Sequence, residues 1–480
     1  SSLTKVYFSG RKVSSRERCD GHFSQKSQRM FSNNFTCTTF RFQKSISGMF
    51  LTLICTVLLH VSCVSVFAQD APYPMHLSAG SMHTVQLHPV GQPNAHPFIP
   101  LGGGRLTLSF DDFSPEYRTL EVRLKHCTFD WYDSPDMGPS DFLAGFPTIA
   151  FETIETSFNT KTPFTHYAVT FPNDMVQFTK SGNYIAEVYD TSNPDRALIQ
   201  ERFVVYESLV DIEMRVVPSS IIRTKRTHQE VDLAILHSSD RYPIYDAYDA
   251  LQVVLMQNGR WETSIQGMEP QFVRGEEVTF NPTGSESFAG GNTWRFADLK
   301  SLQFASLGLQ RVVDEGTHWH AYLDPDEPRT YAFLKAQQDL DGHFVVSNEL
   351  QDDATGSDYV WTHFSLQAFE ERLQEDIYIY GALSNWSYPE SHRMIWNPET
   401  GHYEASLLLK QGYYNYEYRV RPALDRGKLD YASLQAEPSN IAAIEGSHAL
   451  ADTPYMCLVY YWDMNGFDRV IGFASVKPNN

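Results

Sequence analysis

Residues 376–420 (DIYIYGALSNWSYPESHRMIWNPETGHYEASLLLKQGYYNYEYRV) carry nearly every β signal that a sequence can hold. Ile377 and Ile379 alternate with Tyr378 and Tyr380, and a period of two suits an extended strand whose successive side chains leave opposite faces. Gly381 ends that run. The turn-forming stretch Asn397-Pro398-Glu399-Thr400-Gly401 separates Met394-Ile395-Trp396 from Tyr403-Glu404-Ala405-Ser406-Leu407 and predicts a hairpin. Tyr414, Tyr416 and Tyr418 then share one face of a further strand, with Tyr413, Asn415, Glu417 and Arg419 on the other. A compact antiparallel sandwich follows from this pattern.

The rest of the chain repeats the pattern. Strand runs fall at Thr84–Leu87, Leu106–Phe110 (closed by Asp111-Asp112), Leu120–Leu124, Phe164–Phe171, Ile185–Tyr189 and Arg202–Tyr206. Others are Val231–Leu236, Leu251–Gln257, Leu302–Phe304, Tyr331–Leu334, His343–Val346 and Tyr359–Leu366. Asn258-Gly259 and Asp341-Gly342 tolerate the positive φ that tight hairpin turns need. Long helix-forming runs are scarce, and 480 residues are too many for one ordinary core. The expected fold is therefore all-β, with three consecutive immunoglobulin-like or early-set β-sandwich domains after a signal peptide. The boundaries read from composition are 1–68 for an upstream tract and signal, 69–208, 209–366, a weakly helical linker at 367–375, and 376–480.

Met49–Leu59 is an eleven-residue apolar run preceded by Arg41 and Lys44, and Val66-Phe67-Ala68 supplies small residues for cleavage. That is the pattern of a secretory signal, too short for a bilayer span, which needs about 20 apolar residues. A lipoprotein start at Cys63 fits poorly, because His60-Val61-Ser62 is not the Leu-rich box such a site requires. The formal net charge is −20, and the first 69 residues are basic, so the remainder is more acidic still and repels nucleic acid. Past the signal only Cys127 and Cys457 remain, and two buried free thiols are expected rather than a disulfide framework.

Catalytic spacings are missing: there is no His-Glu-x-x-His, Gly-x-Ser-x-Gly, phosphate-cradling Gly-x-x-x-x-Gly-Lys or Cys-x-x-Cys. His318-Trp319-His320 places two imidazoles on one strand face, too few for a metal site. Asp339-Leu340-Asp341-Gly342 resembles the start of a calcium loop but lacks the downstream Glu. Asp111-Asp112 and Asp324-Pro325-Asp326-Glu327 have the composition of solvated loops. No catalytic residue, metal site or cofactor is expected, and the chain reads as a non-enzyme. Trp386 and Trp396 are the candidate contacts for a partner or a glycan, since aromatic faces stack on sugars, although a small sandwich needs such rings for its core.

Two resemblances add to this. Tyr380-Gly381-Ala382-Leu383-Ser384-Asn385-Trp386 with Gly412-Tyr413-Tyr414-Asn415-Tyr416 resembles glycogen-binding early-set sandwiches, which implies a fold more than a ligand. Across the whole chain after the signal, ordered segments are similar to the type IX secretion system plug family. They include Leu108-Ser109-Phe110-Asp111-Asp112, His126-Cys127, Thr165-His166-Tyr167 and Ser181-Gly182-Asn183-Tyr184. Further on they include Gln257-Asn258-Gly259-Arg260-Trp261, Gly290-Gly291-Asn292, Lys410-Gln411-Gly412 and Leu458-Val459-Tyr460-Tyr461. Trp294 departs from that pattern. The resemblance implies a periplasmic plug, held at the outer membrane by its partner, the translocon barrel, with no direct membrane span and no nucleic acid. The alternative is a periplasmic or surface polysaccharide-binding protein using the C-terminal sandwich.

Overall fold

The computed structural model of this chain describes residues 73–281, 284–333, 339–349, 354–423, 440–462 and 468–478. The expected signal at Met49–Leu59 and the tract before it lie outside the described residues. Strand dominates, and helix among the described residues is limited to short turns such as Pro139–Phe142. The all-β expectation holds.

The first sandwich follows from alternation. In Leu106–Asp112, Leu106, Leu108 and Phe110 are fully buried while Thr107 and Ser109 are only partly covered. This strand lies between Met82–Pro89 and Thr165–Phe171, with Thr153–Thr156 at the edge. The facing sheet orders His76–Ser78, Asn193–Tyr206, Gly182–Asp190, Leu120–Cys127 and Thr148–Ala150, and Phe98–Pro100 joins it parallel to Asn193–Tyr206. Tyr167, Val169, Tyr184, Val188 and Phe203 close the core between them.

Gly182–Asp190 is buried along both faces, which a two-layer sandwich does not require. The second face has its own partner. Ile185, Val204 and Cys127 pack on Val254, Met256, Leu458 and Tyr460 of a neighbouring sheet, making an apolar layer between sandwiches. A fully buried aliphatic side chain contributes about 1.5–3 kcal/mol, so this layer is a structural joint and not an incidental contact.

Strand pairing crosses the boundaries drawn from composition. The middle sandwich sets Asp211–Pro218, His228–Leu236, Glu277–Phe280 and Phe272–Arg274 against a sheet of Leu251–Gln257, Tyr455–Trp462 and Asp468–Val476. The third sets Gly412–Pro422, with Arg295–Asp298, Phe344–Val346 and Glu375–Tyr380, against Leu309–Asp314, Trp319–Leu323, Tyr359–Gln367, His402–Lys410 and Ile395–Asn397. The hairpin about Asn397–Gly401 forms, with Trp396 opposite Tyr403.

Several local expectations are corrected. Residues 302–304 turn after the amide of Phe304 bonds to Ser301 Oγ, and no strand forms. Tyr331–Phe333 is a turn and loop with Tyr331 almost fully exposed; Leu334 lies outside the described residues. Residues 367–375 contain no helix, because the strands on either side reach Gln367 and begin again at Glu375. Asp111 and Asp112 are not solvated: they extend the strand and are 1% and 2% exposed.

Candidate functional site

The polar residues of the shared motifs meet in buried networks between sheets. Asp111 Oδ2 accepts from Lys410 Nζ at 2.6 Å and from the Tyr359 hydroxyl at 2.7 Å, while Oδ1 lies 2.7 Å from His166 Nδ1. This cluster bolts the first sandwich to the third. Asn183 Nδ2 donates to the carbonyls of Thr128 and Phe129, and its Oδ1 accepts from Tyr460 at 2.7 Å, which ties the first sandwich to the middle one. Asn292 Nδ2 reaches the carbonyls of Ala332 and Glu445.

A second network closes the third sandwich. Glu445 is fully buried between Arg295, 2.9 Å away, and Arg329, 2.5 Å away, and it also accepts from the Tyr418 amide. Burial opposes its ionisation, but the two guanidiniums outweigh that and hold the carboxyl below its ordinary range. Asp326, also expected in a solvated loop, pairs with Arg295 at 2.5 Å and accepts from Tyr416 and Tyr418. Nearby Glu417 shows the opposite balance: burial pushes its carboxyl up to about 8 against the pull of Arg260.

Trp386 stands where the three sandwiches meet. The Asn258-Gly259 turn has φ of 55° and 62°, the Asp341-Gly342 turn 53° and 86°, and Asn258 Nδ2 bonds the Asp341 carbonyl at 2.6 Å. The absent side chains are used. A Cβ on Gly259 would run into the His96 ring, and one on Gly342 would lie 2.6 Å from Trp386 and 2.7 Å from Trp294. Trp386 packs edge-on against Trp294, His343 and Tyr380, so the departure at Trp294 is accommodated as a ring contact. His343 Nε2 lies 3.3 Å from His96 Nε2. Burial depresses both imidazoles, His96 to about 4 and His343 well below its ordinary value. A cleft of about 700 Å³ opens beside this junction, walled by Phe98, Ile99, Phe473 and Val476, with Arg105 and Lys477 at its edges.

Trp396 belongs to the opposite sheet of the third sandwich, half-buried on Tyr403, and does not line that junction. His320 bonds His363 at 2.9 Å and lies 3.3 Å from Glu315. Among the described residues no group of three or more His, Cys, Asp or Glu is placed to hold a metal. Cys127 and Cys457 are free and buried, and burial pushes the Cys127 thiol up to about 12. His96, Arg202 and Lys410 gain their roles from partners far away in sequence, and only the motif matches around Lys410 hinted at one of them.

Residues 82–207 match the family model described as type 9 secretion system plug protein 1st domain. That region holds Asp111 and Asn183, through which the first sandwich is tied to the third and to the middle one. A crystal structure of a hypothetical protein from Parabacteroides merdae is similar over 85% of this chain and 100% of its own, with a TM-score of 0.78 and 26% identity. The likeness therefore extends well beyond the plug first domain. No curated protein matches. No helix among the described residues is long and apolar enough to cross a membrane, and the plug family suggests a periplasmic or envelope location.

Proposed function

We propose that this protein is a non-enzymatic plug that closes the periplasmic end of the type IX translocon barrel in the outer membrane while no substrate is passing. The observation that carries the proposal is the plug first-domain match over residues 82–207. The body around that domain supports it. A conduit wide enough for folded cargo leaks unless something stiff fills its mouth, and sandwiches joined by buried ion pairs and an apolar layer resist bending. The polar atoms of the motifs support that reading: Asp111, Asn183 and Asn292 all spend their hydrogen bonds on buried internal partners, which is the use a scaffold makes of them.

Purification of the full chain from a detergent extract of outer membranes tests the proposal. The expected result is co-purification of a large barrel protein, together with increased entry of a bulky antibiotic when the gene is deleted. Recovery of the chain alone, with unchanged permeability on deletion, overturns it.

A further inference from the structure

A cavity of about 110 Å³ lies between the first sandwich and the Asn258–Trp261 turn. Its wall divides by chemistry. Phe98, Trp261 and Trp386 present apolar faces, and Arg202, Arg260 and His76 bring basic groups. Arg202 is the telling residue. Its guanidinium bonds through Nε and Nη2 to the Tyr73 carbonyl and stacks on the Trp131 ring at 4.3 Å, yet among the described residues no carboxylate lies within ion-pair distance of it. Sequence-adjacent Glu201 also lines the cavity, but its carboxylate is bonded to His76 Nδ1, and His76 Nε2 is buried without a hydrogen-bond partner. Arg260 is bonded through Nε and Nη2 to Gln257, while its Nη1 lies 3.8 Å from Glu417 and is buried without a hydrogen-bond partner, so it adds positive potential and one unpaired donor.

A charge taken out of water without a counter-ion is costly, and a guanidinium is the side chain best shaped to recover that cost from a carboxylate. Burial accordingly pulls the Arg202 pKa down to about 10. In a chain of net charge −20, a cavity with two guanidiniums and one carboxylate already engaged by histidine is a local reversal of sign. Its volume sets the ligand: an apolar cavity of about 150 Å³ takes one benzene ring, so this one admits a body of about four to six heavy atoms.

We propose that this cavity binds a small organic carboxylate, its anionic end paired with the Arg202 guanidinium and its apolar body against Trp261 and Trp386. The assignment is independent of the plug role. Titrating the full chain with acetate, propionate and isobutyrate, each against its neutral amide, by calorimetry and thermal shift decides it. At least one acid saturates in the millimolar range and stabilises the fold, its binding weakens as salt rises, and its amide does neither. Arg202→Gln weakens that acid by about tenfold or more, as loss of a charge-assisted pair should, while Arg202→Lys, which keeps the charge but not the planar fork, weakens it less than Arg202→Gln does. Equal binding of acid and amide, unchanged affinity in Arg202→Gln, or no saturation by any of the three acids overturns the proposal. If Arg202→Gln does not fold, the contrast between acid and amide on the unaltered chain still decides.

Discussion

Lys410 and Asp111 are each 1% exposed, and their side chains meet at 2.6 Å across 299 residues of sequence. Asp111 has both oxygens engaged, and Lys410 also sits 4.2 Å over the Phe164 ring. Truncating one partner of a buried pair leaves the other charge stranded, which costs about 3–5 kcal/mol. Lys410→Met should therefore lower the urea midpoint strongly with an unchanged slope, because the loss is one of stability and not of exposed surface. Adding Asp111→Leu to it should recover part of the loss, since that removes the stranded carboxylate. A midpoint for Lys410→Met within about 1 kcal/mol of the parent would show that this bolt holds nothing. The pair was not readable from sequence for a physical reason. Asp111-Asp112 follows an alternating strand and looks like its polar end; only a lysine brought from the third sandwich makes burial there tolerable.

At the scale of elements, the turns were the most legible parts. Asn258-Gly259 and Asp341-Gly342 both adopt the positive φ that their dipeptides announce. What they are for was not legible, because it depends on His96 coming from the first sandwich to lie above Gly259, beside His343. His96 is only partly covered by neighbouring atoms and His343 is 8% exposed, yet both are held neutral by burial, with Arg260 and His88 adding positive repulsion nearby. The consequence for pH has a definite sign. An imidazole whose folded pKa lies near 4, against 6.5 when unfolded, binds fewer protons in the native state between those values. Stability is then complete above about pH 6.5 and is lost as pH falls toward 4. Urea midpoints at pH 7.5, 6 and 5 should fall in that order, and His343→Gln should flatten the slope by up to about 1.4 kcal/mol per pH unit. An identical slope in parent and variant would remove His343 from the account.

For the whole molecule, the stretch 376–420 predicted its strands well and their partners incompletely. Its hairpin and its inward tyrosines are where alternation places them. The other face of Gly412–Pro422 was legible only as polar; it is buried too, because Asn415 bonds the Leu340 amide and the Arg295 carbonyl, and Glu417 pairs with Arg419 beside Arg260 of the middle sandwich. Alternation states which residues share a face but not which strand lies next to them, and consecutive strands are neighbours only about two-thirds of the time. Here Gly412–Pro422 takes Arg295–Asp298 and Phe344–Val346 as partners, and Tyr455–Trp462 completes a sheet with Leu251–Gln257. A fragment of residues 376–480 is thus missing the strands on which both of its longest hairpins rest, and it would expose Tyr455, Cys457 and Val459, whose partners lie in the middle sandwich, to water. It should show collapsed amide dispersion and no cooperative unfolding, whereas residues 209–480, which keep every strand of the middle and third sandwiches, should unfold in a defined transition. A cooperative transition in the 376–480 fragment alone would mean that these long-range pairings contribute little, and that the C-terminal stretch is a module in its own right.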